Sequence, residues 1–159
     1  MPFQTSVNIT PAPAVAGDFA SANPNASVLA GPGAFVAGTG GANVGLFGWA
    51  DANGLVTNAG SGVPTGFIHR DMQALIVTWL AEASMNIPAG QPVTLMSAGD
   101  FWAKTLTTAT VGQKVFAVLA DGTIKTGAAG ATIAGAIETK WFVGSAAAAN
   151  ELVKITTWN

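Results

Sequence analysis

The chain has 159 residues, enough for one domain, and half of them are hydrophobic by a broad count, so a core can form. Only 9% are charged, six Lys plus Arg against eight Asp plus Glu, where ordinary globular domains run near ~25%. The absence of cysteine excludes disulfides, thiol catalysis and thiolate metal sites together.

A folded monomer of this size exposes roughly 7,000 Å², which leaves about one charge per ~500 Å². Such a surface suits a subunit whose outside is partly covered by neighbours, because obligate interfaces resemble a core cut in half. The net charge of −2 comes with cations spread as Arg70, Lys104, Lys114, Lys125, Lys140 and Lys154. With no basic run, direct nucleic-acid binding is not expected. The N-terminus lacks a basic, apolar, small-residue signal series, so no leader is expected. The uncharged run from Phe19 to Ala50 is broken by Gly, Pro and Asn, and Met72 to Ala81 is too short to span a bilayer, so no membrane partner is expected. Asn8-Ile9-Thr10 and Asn25-Ala26-Ser27 match the glycosylation sequon and are read as chance.

In chain order, residues 1–33 read as an extended N-terminal arm. "FQTSVNI" from Phe3 to Ile9 fits one short strand. Pro11, Pro13 and Pro24 then fix φ and remove ladder donors, and Asn23-Pro24-Asn25 and Gly31-Pro32-Gly33 are turn signals. The segment is apolar and nearly uncharged, which suits lying on a surface better than disorder. An extended chain on a partner's sheet edge gains backbone hydrogen bonds without a core of its own. The arm is therefore expected to lie on other subunits.

Residues 34–159 read as a single β domain. Ala34–Ala37 is a short strand, Gly38–Asn43 a turn, and Val44–Ala50 (VGLFGWA) a strand with Gly48 and Ala50 on one side and Phe47 and Trp49 on the other. Asn53-Gly54 is a hairpin signal leading into Leu55-Val56-Thr57. Met72, Leu75, Ile76, Trp79, Leu80 and Ala83 recur at helical spacing, which predicts one short helix over 71–83 with Asp71 as cap. The β-formers Leu75–Trp79 leave two buried strands as the alternative. "GQPVTLMSAG" at Gly90 and "GQKVFAVLADG" at Gly112 share a layout: Gly-Gln-x-Val, a strand, then a glycine turn. Asp121-Gly122 reads as a type I′ turn returning through Thr123–Thr126. Ile137–Val143 and Leu152–Trp158 form a last hairpin. The fold expected is mainly β, a compact barrel or jelly-roll-like sandwich.

No catalytic constellation emerges. His69, the single histidine, lies near Asp71 in "GFIHRD", but no serine sits in a G-x-S-x-G turn, and Ser61 in G-S-G lacks a strand-to-helix context. His69 is read as structural. G-x-G-x-x-G fails at Asn43, and no lysine precedes Lys104 to complete a P-loop. The carboxylates are isolated and form neither a glycosidase pair nor a calcium loop. No cofactor, metal site or catalytic residue is expected. Five tryptophans and no tyrosine fit core and interface anchors better than a sugar platform.

The stretches "NPNASVLAGPGAFVAG", "VGLFGWAD", "PTGFIHRDMQALI", "LAEASM", "IPAGQPVTLMSAGDFW" and "GQKVFAVLADGTI" resemble, in texture and order over most of the chain, the structural cement or capsid decoration proteins of tailed bacteriophages. The resemblance implies a small, largely β virion protein, made in the host cytoplasm. It would bind the outer surface of an icosahedral shell, bridge neighbouring major capsid proteins and help the shell resist internal DNA pressure. It brings no catalytic residues. A homo-dimer or homo-trimer with the arm reaching a neighbour is expected. Phe3, Val7, Ile9, Pro11, Pro13, Val15, Phe19, Trp49 and Trp102 are the candidate capsid or subunit contacts. A tail or baseplate protein and a carbohydrate-binding module on the particle are the alternatives.

Overall fold

Thirteen strands and no helix occupy the described residues, 14–71 and 85–158, of the computed structural model. The predicted strand Phe3–Ile9 and nearly all of the predicted helix over 71–83 lie outside them. No helix among the described residues is long and apolar enough to cross a membrane.

The strands form two main sheets. One runs, in spatial order, β1 (Ala26–Ser27), β8 (Leu95–Ala98), β6 (Gly66–Ile68), β4 (Phe47–Ala50), β5 (Leu55–Thr57) and β2 (Val36–Ala37). The other runs β11 (Ile124–Gly127), β10 (Lys114–Val118), β12 (Ala136–Val143), β13 (Leu152–Thr156) and β9 (Asp100–Lys104). A two-stranded piece, β3 (Ala42–Asn43) with β7 (Asn86–Ile87), completes the body. All pairings are antiparallel except β2 with β5. The expected mainly-β sandwich is what forms.

Alternation explains how the layers stack. In the six-stranded sheet, Phe47, Trp49, Phe67 and Met96 point to one cluster, and Val56, Ile68 and Leu95 to another. At its centre, in β4 and β6, the sheet is buried on both faces, which is why FGWA and GFI read as almost unbroken apolar runs. Its first face meets Phe101, Ala103, Val115, Ala117, Ile124, Trp141, Val143, Val153 and Ile155 of the five-stranded sheet. Its second face packs against Ala42, Val44, Ile87 and Val93. The centre of the sandwich is aromatic. Phe47 and Phe67 from one sheet meet Phe101 and Trp141 from the other, with centroids 5.3 Å apart for Phe67–Phe101 and 5.7 Å for Phe101–Trp141. Such pairs add about 0.5 to 1.5 kcal/mol each beyond the burial of their area.

The two Gly-Gln copies open alike and part company later. Gln91 N–H bonds to Pro88 O, and Gln113 N–H to Thr110 O, closing equivalent turns. The first copy then enters the six-stranded sheet as β8, and the second enters the five-stranded sheet as β10. β8 crosses between sheets at Gly99, whose φ of +135° and closeness to the Phe101 ring and Asn25 leave no room for a Cβ. The second copy returns within its own sheet as a hairpin. That turn is not type I′, because only Gly122 has positive φ. It is a four-residue loop in which Gly122 N–H bonds to Val118 O and Val118 N–H to Thr123 O, while Asp121 Oδ1 accepts from the Thr123 N–H and hydroxyl. The side-chain acceptor stabilises a longer loop than the Asp-Gly pair alone suggests. The predicted hairpins of β4 with β5 and of β12 with β13 form as expected.

Candidate interaction surfaces

The described part of the N-terminal stretch is bound to its own chain. Gly17 N–H donates to Trp102 O, Trp102 N–H to Asp18 O, and Ala20 N–H to Asp100 O, so residues 17–20 pair along the free edge of β9. Six residues on, β1 pairs with β8, and Val28 N–H bonds to Leu95 O. Since β8 and β9 lie in different sheets, residues 14–28 form a strap across the seam between them. Covering sheet edges in this way removes templates for unwanted pairing.

Side chains fasten the strap over residues 18–23. Arg70 Nη1 meets Asp18 Oδ1 at 3.0 Å, the one ion pair among the described residues. Phe19 packs on His69 and Phe101, with ring centroids at 4.9 and 5.0 Å, while 45% of its surface stays exposed. Asp100 Oδ2 accepts from the Ser21 hydroxyl and the Asn23 amide, both at 2.6 Å. Burial pushes the Asp100 carboxyl pKa up, but hydrogen bonds from Ser21, Thr156 and Asn23 outweigh it and hold the value below the ordinary range.

A second surface is electrostatic. Every lysine of the chain lies on the outward face of the five-stranded sheet: Lys104, Lys114, Lys125, Lys140 and Lys154. Each sits beside a buried strand residue, so the period of two turns all five away from the core. Two are held over aromatic rings, Lys114 Nζ at 3.7 Å from the Phe142 centroid and Lys154 Nζ at 5.1 Å from that of Trp102. None makes an ion pair among the described residues. The face carries two carboxylates, both engaged locally: Asp100 with the strap, and Glu138 through the Gly130 N–H. The rest of the sequence has one cation, Arg70, and six carboxylates. The basic face was not legible from cations spaced far apart along the chain.

The predicted contact residues fall into three groups. Phe3, Val7, Ile9, Pro11 and Pro13 lie outside the described residues. Val15 and Phe19 are exposed on the strap, and Trp102 stands half-buried on the lysine face. Trp49 is only 8% exposed and donates its indole N–H to Gly62 O, so its ring serves the core. Trp141 is likewise buried, whereas Trp158 is exposed.

The polar residues weighed for catalysis do not converge. Burial lowers the His69 pKa against the opposing pull of Asp71 and Asp18, and its Nδ1 is buried without a hydrogen-bond partner. No carboxylate among the described residues is hydrogen-bonded to the ring. Asp71 accepts from Thr94, and Asp51 caps its own turn through the Asn53 and Leu55 N–H groups. The Gly-rich segment 38–45 supplies β3, whose Asn43 is held by Asn58 through both backbone groups. Among the described residues no cluster of His, Asp and Glu could hold a metal ion.

A β-sandwich with strapped edges, a nearly uncharged skin and one basic face has the build of an assembly subunit. Over residues 3–157 the chain matches the family described as XM1 gp53 minor capsid protein, and it belongs to that family. A chain of the solved structure "The capsid of Myoviridae Phage XM1" has the same fold, with a TM-score of 0.63, 20% identity, and coverage of 99% of this chain and 98% of that one. No curated protein sequence matches. The protein is a structural component of a tailed-phage capsid, and its place is the virion.

Proposed function

We propose that this protein is a cement protein of the phage head, binding the outer surface of the shell and bridging neighbouring major capsid proteins. Membership of a minor capsid family carries the reading. A chain with 9% charged residues supports a permanent place among other subunits. The strap is hydrogen-bonded to the chain's own sheet edges from Gly17 onward, and residues 1–13, uncharged and carrying Pro11 and Pro13, are assigned to a neighbour on their sequence. Phe3, Val7 and Ile9, with Pro11 and Pro13, are its contact residues. Burying large apolar side chains there contributes about 1.5 to 3 kcal/mol each before ordering costs. The body assembles as a homo-dimer or homo-trimer, and many weak bridges over one shell add through effective concentration.

The test is decoration of heads that lack the protein, read by cryo-electron microscopy. The intact chain is expected on the outside, in contact with at least two major capsid subunits. A chain lacking residues 1–13 is expected to fold and to decorate less. Density on the inner surface or on the tail overturns the reading. Full decoration by the truncated chain overturns the role given to residues 1–13.

A further inference from the structure

We propose that the outward face of β12, β13 and β9 docks onto an acidic protein surface of the shell, through Lys104, Lys140 and Lys154 with the rings of Trp102 and Phe142 between them. This inference rests on the cement reading and adds which face meets the shell and what chemistry it meets there.

Three observations carry it. First, a chain with only six cations places five on one sheet face, with no ion pair among the described residues to neutralise them. Gathered charge of one sign steers the approach and orientation of an oppositely charged partner. Second, the open part of the face is β12, β13 and β9. At the other edge Phe116 is buried although it points outward, and Ile133 lies with it over Gly127, so the loop at 128–135 already covers that end. Third, Lys154 over Trp102 and Lys114 over Phe142 are held on apolar rings. They form a mixed aromatic and cationic surface of the kind that anchors protein interfaces.

The same observations favour protein carboxylates over nucleic-acid phosphates. Nucleobases need an open ring face on which to stack. Here ammonium groups lie over both rings. The whole chain is acidic, with pI ≈ 5.0, which opposes a long polyanion once it extends past the basic face.

The experiment measures binding of the full chain to purified heads lacking this protein, at about 50 and about 500 mM salt, a range over which exposed charges become screened. Lys104→Gln with Lys140→Gln removes two exposed cations. Ala52→Glu with Ser61→Glu changes net charge equally at exposed positions in the loops that join β4, β5 and β6 of the other sheet. Melting curves establish that both variants fold. The lysine variant is expected to bind about tenfold more weakly at low salt and to lose most of the salt dependence, while the control binds as the parent does. Equal binding by the lysine variant overturns the docking face and leaves the cement reading standing. No binding by the parent chain overturns both. Retention of a 30-base-pair duplex that is lost in the lysine variant, without loss of head binding, overturns the acidic-protein assignment in favour of nucleic acid.

Discussion

The indole N–H of Trp158 donates to the main-chain carbonyl of Pro24, 3.1 Å away and 134 residues earlier. The bond ties the end of the chain to the strap that crosses the two sheets. Pro24 lies between the 17–20 segment on β9 and β1 on β8, so the contact holds the strap at its middle. The stretch is thus an edge cover for its own body from Gly17 onward.

Asp100 should set the pH dependence of the strap. Its pKa is depressed in the fold by hydrogen bonds that outweigh burial. The stabilisation is therefore complete above the ordinary carboxylate value and lost as pH falls through the lower folded value. Asp100→Asn should cost about 1 kcal/mol at neutral pH, since the bonds are partly exposed, and the gap from the parent should shrink as pH falls below the ordinary carboxylate range. Proteolysis within residues 20–28 and thermal melts across that range are the measurements.

His69 works in the opposite chemical sense with the same pH direction. Burial holds its pKa below the ordinary value, so the unfolded chain binds a proton more readily, and stability falls as pH drops below about 6.5. His69→Phe keeps a ring against Phe19 and Phe101 and removes the titration. Its melting temperature should match the parent at pH 8 and exceed it near pH 5.

Trp141 lies at the centre of the aromatic cluster, with 2% of its surface exposed. Trp141→Ala should cost about 3 to 5 kcal/mol in a denaturant titration. Trp158→Ala, at an exposed position, should cost about 1 kcal/mol and chiefly loosen the strap.

Gly122 and Gly112 separate backbone strain from steric conflict. Both have positive φ, +72° and +86°. A Cβ at Gly112 meets nothing within 4 Å, whereas one at Gly122 runs into the carbonyl of Phe47. Gly112→Ala should cost about 1 to 2 kcal/mol, the backbone penalty alone. Gly122→Ala should cost more, because β4 must shift as well, and differential melts of the pair give the difference.

Truncation should show a sharp boundary. Removing residues 1–13 leaves the described hydrogen bonds in place, whereas removing 1–28 uncovers the edges of β8 and β9 and should give a protein that aggregates on concentration. Light scattering of the two chains distinguishes them.

The local layers are legible in the order of residues. Alternation in LVKIT is enough to specify a strand and which side of it is buried, because side chains in a strand alternate strictly, while FGWA and KVFAV, bounded by glycine turns, announce strands whose two sides are both covered. Composition also sets the chain's low charge and the absence of thiol chemistry. Which strands share a sheet is set by long-range pairing. Lys104 and Lys154 are fifty residues apart and come together because β9 pairs with β13. Lys114 and Lys125 face the same way because β10 and β11 form one hairpin, and the Gly-Gln copies part because β8 turns the corner at Gly99. The strap is decided at the same level. Residues 17–28 have no alternation to announce a strand, and their partners are edges of β8 and β9 that exist only once both sheets have formed. Pairing between distant segments is fixed by how the sheets close around Phe47, Phe67, Phe101 and Trp141, and no local pattern encodes that closure.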